Sequence, residues 1–149
     1  GGKRSRRYLY QLPWYVIIGP PGSGKTTALA NSGLRFPLSD KTDGLAVRGI
    51  GGTRNCDWFF TEDAVLIDTA GRYTTQDSQE AVDRSAWQSF LKLLQRHRGR
   101  QPIEGILVAF SLRDLMDSDS PQRLMHARAI KRRIQEIHQV LLIVSRFSE

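Results

Sequence analysis

Apolar positions in this chain fall into short, separated runs whose spacing changes along the sequence. Trp14-Tyr15-Val16-Ile17-Ile18 is continuous and strand-length. After a glycine-rich stretch, Thr26–Ser32 predicts a helix stopped by Gly33. Residues 34–53, rich in Gly, Asp, Pro and Thr, predict a long loop ending in "RGIGGTRN". Cys56–Phe60 and Ala64–Asp68 are apolar again, and Thr61-Glu62-Asp63 between them predicts a hairpin. A polar loop is expected from Thr69 to about Glu80. Trp87, Phe90, Leu91 and Leu94 then recur at helical spacing, predicting an amphipathic helix over Asp83–His97 that "RGRQP" breaks. Gly105–Ser111 predicts a buried strand. Ala127, Ile130, Ile134, Ile137 and Leu141 alternate between spacings of three and four. They predict a second amphipathic helix, with Arg128, Lys131, Arg132 and Arg133 on a solvated outer face. Val140–Val144 offers the start of one further strand. The order β–α–β–β–α–β–α predicts an α/β sandwich. It forms a single domain over residues 13–149, preceded by a basic arm over 1–12 and without internal repeats.

Composition narrows the class. The chain has 149 residues, 40% hydrophobic and 25% charged, a balance that suits one globular domain with a real core. No apolar run approaches the roughly 20 residues of a membrane-spanning helix. "GGKRSRR" lacks the apolar centre of a secretory signal, and Gly1-Gly2 without an initiator methionine reads as a cut fragment or an expression scar. The single cysteine, Cys56, reads as a small strand residue in a cytoplasmic setting. His97, His126 and His138 show no metal-ligand spacing with it. A net charge of +7 permits contact with nucleic acid, anionic lipid or a phosphate-rich ligand without choosing among them. No nucleic-acid motif is present, so no specific nucleic-acid partner is expected.

The chemistry concentrates between the first strand and the first helix. Gly19-Pro20-Pro21-Gly22-Ser23-Gly24-Lys25-Thr26 has the spacing of a phosphate-binding loop, and Thr27 follows it. Glycines let successive backbone N–H groups turn inward onto an anion, and the next helix adds its positive end. Lys25 supplies a mobile charge for the β- and γ-phosphates, and the Thr26 hydroxyl is placed to ligate Mg²⁺. "VLIDTAG" is the second piece. Asp68, at the end of a strand, would hold the metal, and Gly71 would offer its N–H to the γ-phosphate. Thr69 stands where many ATP motors have a glutamate base, so the pattern is that of a GTPase-type switch. Such a switch closes a threonine of its first mobile loop onto Mg²⁺; Thr53 is the best-placed candidate and Thr42 the second. The residue after D-x-x-G is Arg72, where Ras-like proteins carry glutamine. Arginine cannot act as a base near neutral pH but can stabilise transition-state charge. Arg48 and Arg54 flank the first switch and read either as arginine fingers in cis or, equally, as solvated loop side chains. Lys25, Thr53 and Arg72 are therefore the catalytic candidates, Thr26, Thr53 and Asp68 the metal ligands, and Mg²⁺ with GTP or ATP the cofactors. Slow intrinsic turnover, or turnover that needs a partner, is expected. The fold expected is a GTPase-like P-loop NTPase sandwich, its sheet mostly parallel with one antiparallel hairpin strand.

"LPWYVIIGPPGSGKTTALANSGLRFPL", "GGTRNCDWFFTEDAVLIDTAGRYTTQDS" and the Trp87 helix followed by "PIEGILVAFSL" together resemble the IcmF/TssM family of type VI secretion, over about Leu12 to His138. The resemblance implies a cytoplasmic P-loop NTPase domain at the inner face of the bacterial inner membrane. Membrane helices absent from this sequence would precede it, and a large periplasmic region would follow. It implies other membrane-complex and baseplate proteins of the secretion system as partners. It also implies that Lys3–Arg7 is a juxtamembrane end. Nucleotide use varies across that family. Its members usually continue into a strand ending in a T-K-x-D-like motif; here Ser145-Arg146-Phe147 does not match, so the domain reads as truncated or altered at its C-terminal end, without a base-reading residue. A non-catalytic P-loop scaffold that docks other secretion components is the alternative. Signal-recognition-type GTPases share "DTAGR" but need a longer insertion than Thr27–Ile67.

Overall fold

The computed structural model describes residues 11–35, 47–48, 56–98 and 103–146. Its core is a five-stranded mixed sheet in the order β2-β3-β4-β1-β5. The strands are β1 (Trp14–Ile18), β2 (Val47–Arg48), β3 (Cys56–Phe60), β4 (Val65–Thr69) and β5 (Gly105–Val108). β1 pairs in parallel with both β4 and β5, whereas β3 runs antiparallel to β4 and to β2. The expected hairpin is therefore present, with Cys56 opposite Thr69 and Phe60 opposite Val65. Its turn is held by Thr61, whose hydroxyl accepts from the Ala64 amide at 2.8 Å.

β1 and β4 are nearly continuous apolar runs because both faces of the central sheet are covered. Alternate residues divide between two clusters. Val16, Ile18, Val65 and Ile67 face one side, and Ile17, Leu66 and Phe59 the other. The second side is closed by Leu29 of α1 (Lys25–Ala30). The first is closed by Trp87, Phe90, Leu91 and Leu94 of α3 (Glu80–Arg98) and by Ile137 of α5 (Ser120–Arg146). Leu12, read from sequence as the end of a basic arm, is buried in the first cluster; residues 1–10 lie outside the described residues.

Several expectations need correction. The segment after β4 is not simply a loop: Gly71–Thr75 forms a one-turn helix, α2. Leu112–Asp117 forms another short helix, α4, capped by the Ser111 hydroxyl, which accepts from the Asp114 amide. β5 ends at Val108, and Leu107 and Val108 are exposed, because β5 pairs only with β1 among the described residues. Val140–Val144 does not begin a strand, since α5 runs unbroken over 27 residues. The inward face of α5 is also shifted. It carries Ile130, Arg133, Ile137 and Val140, while Ile134 is exposed. Arg133, expected on the solvated face, is buried. The spacing 130, 133, 137, 140 fits the helical period as well as the apolar stripe did, and only packing decided between them. No helix among the described residues is long and apolar enough to cross a membrane.

Candidate functional site

The glycine-rich turn leaves β1 at the centre of the sheet, with β4 alongside, so Lys25, Thr26 and Asp68 converge. Gly22 and Gly24 adopt positive φ of 73° and 82°, conformations that L side chains rarely take, and the chain curls between them. The curl turns the Lys25 side chain back under its own loop. Its ammonium donates to the Gly19 carbonyl at 3.2 Å, the Pro20 carbonyl at 3.3 Å and the Ser23 hydroxyl at 3.2 Å. These acceptors are neutral, and Lys25 is 8% exposed. Burial lowers its pKa below the ordinary value, an effect the Asp68 charge partly offsets.

Asp68 lies opposite Ile17 of β1 and opposite Asp57 of β3. One carboxylate oxygen accepts from the Thr26 hydroxyl at 2.9 Å. The other is buried with no hydrogen-bond partner. Burial raises the Asp68 pKa, while the Thr26 hydrogen bond and the Lys25 charge oppose the shift. A hydroxyl and a carboxylate in contact, with one buried oxygen unspent, are hard oxygen donors of the kind Mg²⁺ takes alongside phosphate and water. Thr26 and Asp68 thus fit the metal expected from the sequence. No group of three or more His, Cys, Asp or Glu side chains that could hold a metal occurs among the described residues. Asp57 was missed in the sequence, although the hairpin register alone places it beside Asp68. The Cys56 thiol is pushed up to about 12, first by burial and then by Asp68 and Asp57, so it is unreactive.

Gly71 and the glycine-rich loop are in close approach. A Cβ at Gly71 would lie 2.4 Å from the Pro21 nitrogen, so no other residue fits without moving the loop. Thr74, fully buried, accepts from the Gly19 amide at 3.0 Å. Thr69 anchors the end of β4 through its hydroxyl, which donates to the Ile17 carbonyl at 2.7 Å.

Arg72 is placed elsewhere. Its guanidinium stands 3.4 Å from a carboxylate oxygen of Asp83 on α3 and 5.7 Å from the Tyr73 ring centroid. Asp83 is completely buried, and the ion contact is too poorly directed to count as a hydrogen bond for either of its oxygens. Nearby, Arg133 donates to the Tyr73 carbonyl at 3.3 Å and to Glu136 at 2.8 Å. Glu136 also accepts from the Trp87 indole at 2.6 Å. Sequence reading missed this network of Asp83, Arg133, Glu136 and the Trp87 N–H, which joins three helices. Of the remaining candidates, Thr53, Thr42 and Arg54 lie outside the described residues, and Arg48 is described only as a backbone position in β2, opposite Asp57. A cavity of about 280 Å³ lies beside the loop, lined by Pro20, Pro21 and Ser23 on one side and by Arg123, Ala127 and Ile130 of α5 on another.

Comparison with known proteins adds the lineage. Residues 80–145 match the IcmF-related N-terminal domain. The chain is also 61% identical over 140 residues to "Type VI secretion system component TssM1" of Pseudomonas aeruginosa strain PAO1. Both matches support the IcmF/TssM family. The aligned part is 94% of this chain but 13% of that relative's length. The chain is thus homologous to a type VI secretion component over a small part of it. The IcmF-related match begins after Lys25, Thr26, Asp68 and Gly71, which fall only within the alignment to the TssM1 relative. No solved structure matches the chain.

Proposed function

We propose that this chain is a nucleotide-binding switch domain of a type VI secretion protein, taking Mg²⁺ with GTP or ATP at the end of β1. The observation that carries the reading is the Lys25–Thr26–Asp68 cluster. It holds a buried ammonium on neutral acceptors and a buried carboxylate with one unpartnered oxygen. Lys25 would exchange its carbonyl partners for phosphate oxygens. Thr26 and Asp68 would hold the metal, whose charge shields the phosphates. Gly71, already against Pro21, would present its N–H to the terminal phosphate. Membrane-complex and baseplate proteins as partners, and a place at the cytoplasmic face of the inner membrane, belong to the same proposal through the family.

One observation favours the alternative, a P-loop scaffold that binds without turnover. Arg72 pairs with Asp83, and Thr69, following the strand aspartate, is spent on Ile17. Neither orients a water, so any hydrolysis is slow unless a partner supplies the missing group. Equilibrium binding of fluorescent GTP and ATP analogues with Mg²⁺, on wild type and Lys25→Ala, tests the reading. Binding lost in the variant supports it; a folded wild type that binds neither nucleotide overturns it.

A further inference from the structure

The phosphate loop and the helical layer beside it are joined through α2, whose Tyr73 packs in the core cluster with Trp87 and Ile137 and whose polar groups link both sides. At one end Gly71 sits against Pro21, and the Thr74 hydroxyl holds the Gly19 amide at 3.0 Å. At the other, the Tyr73 carbonyl takes the Arg133 guanidinium of α5. Arg133 passes the contact to Glu136, and Glu136 to the Trp87 indole on α3. A more direct route is interrupted, since the cavity of about 280 Å³ separates Pro20 and Pro21 from Ala127 and Ile130. α2 itself is held against its preferences. Gln76, which ends it, has φ 51°, a backbone state that non-glycine residues seldom adopt, and its side-chain nitrogen is buried without a partner. The Arg133 Nε and both Asp83 oxygens are likewise buried without hydrogen bonds. Four buried polar atoms at the seam of α2 with α3 and α5 thus lack hydrogen bonds, and a second arrangement of that seam can satisfy some of them.

We infer that α2 is a relay, in which the Thr74–Tyr73–Arg133–Glu136–Trp87 chain couples occupancy of the phosphate loop to the seating of α5 on α3. The inference rests on the nucleotide-binding reading and adds the regulation of that site: what the loop holds is read out on the helical face. A ligand drawing on the Gly71 N–H pulls α2 at its first residue, and Tyr73, two residues on, moves the acceptor that seats Arg133. By reciprocity, a partner that displaces α5 changes nucleotide affinity.

Hydrogen exchange by mass spectrometry on the full chain tests this, with Mg·GTPγS and Mg·ATPγS as probes and binding measured separately by fluorescence. Loading is expected to change exchange in residues 71–76 and 130–140 together. In Arg133→Met the response at 71–76 persists, and that at 130–140 falls by about fivefold or more, the lower end of ordinary coupling. Glu136→Gln is milder, keeps an acceptor for Trp87, and carries the test should Arg133→Met not fold. An α5 that stays silent in a wild type that binds, or that responds equally in both variants, overturns the relay. Thr74→Val, without nucleotide, separates this inference from the reading beneath it. Removing the acceptor of the Gly19 amide is expected to raise exchange at 130–140 in the wild-type background but not in the Glu136→Gln background. Should neither nucleotide bind while this effect holds, the nucleotide reading fails and the relay stands; without the effect, both fail.

Discussion

Two clusters of buried charge meet at α2, and they treat their charges differently. Around Lys25 and Asp68 the ammonium rests on neutral oxygens and the carboxylate keeps one oxygen idle. Burial pushes each toward its neutral form, lowering the pKa of Lys25 and raising that of Asp68. Around Arg133 the charges meet one another, Arg133 with Glu136 at 2.8 Å and Arg72 with Asp83, and Glu136 also accepts from the neutral Trp87 indole at 2.6 Å. The first cluster therefore carries unspent interaction capacity at a cost to the fold, as a binding site does. The second pairs its charges across three helices, although the Arg133 Nε and both Asp83 oxygens are left without hydrogen bonds. Charge burial alone does not identify a site; the first cluster differs in that its ammonium rests on neutral oxygens of a glycine-rich loop rather than on a carboxylate.

That contrast predicts opposite consequences for substitution. Trp87→Ala, at the closed cluster, removes a fully buried indole as well as the donor to Glu136. It should cost about 3–5 kcal/mol, read from the urea midpoint. Lys25→Ala, at the open cluster, should leave that midpoint unchanged or higher. It should lower nucleotide affinity about 100-fold, or about 2.7 kcal/mol. Glu136→Ala strips Arg133 and Trp87 of one partner, and because Glu136 is a third exposed the loss should be about 1 kcal/mol of stability. Asp68→Asn should stabilise the fold by about 0.5–1 kcal/mol while abolishing the Mg²⁺-dependent part of binding. If Lys25 and Asp68 substitutions destabilise as the Glu136 one does, the contrast between the clusters is wrong.

The smallest effect is the dependence on pH. Asp68 titrates above the ordinary aspartate value of 3.8. Between that value and its own, the folded chain holds a proton that the unfolded chain has lost, so the Asp68 contribution to stability falls as pH rises through this window. The advantage of Asp68→Asn should accordingly shrink as the pH is lowered through the window, in urea titrations over a pH series. Mg²⁺ needs the ionised carboxylate, so metal-dependent binding should weaken on acidification sooner than for an ordinary aspartate.

Much of the open cluster was legible because its parts are local. The loop, Lys25 and Thr26 are adjacent in sequence, and Asp68 with Gly71 stands at the end of a recognisable apolar strand. Strand pairing then brings Asp68 to Thr26 with little further choice. Arg72 was read as a catalytic candidate from its place after D-x-x-G, and its pairing with Asp83 could not be foreseen, because it depends on how α2 meets α3. Arg133 was misplaced for a related reason. On a helix of the observed length its side chain falls among the inward positions, but an arginine is assigned outward unless a partner inside is known. That partner is a backbone carbonyl on a different element.

The sequence by itself determined the central strands, the hairpin, the α3 stripe and the chemistry of the loop, since each is set by residues within a few positions of one another. Only the tertiary structure decided that β5 lies at the sheet margin among the described residues, that Val140–Val144 continues a helix, and that Arg72 and Arg133 tie α2 to the helical layer. Those outcomes depend on contacts between residues far apart in the chain, where an amphipathic period offers more than one face and packing chooses which is buried.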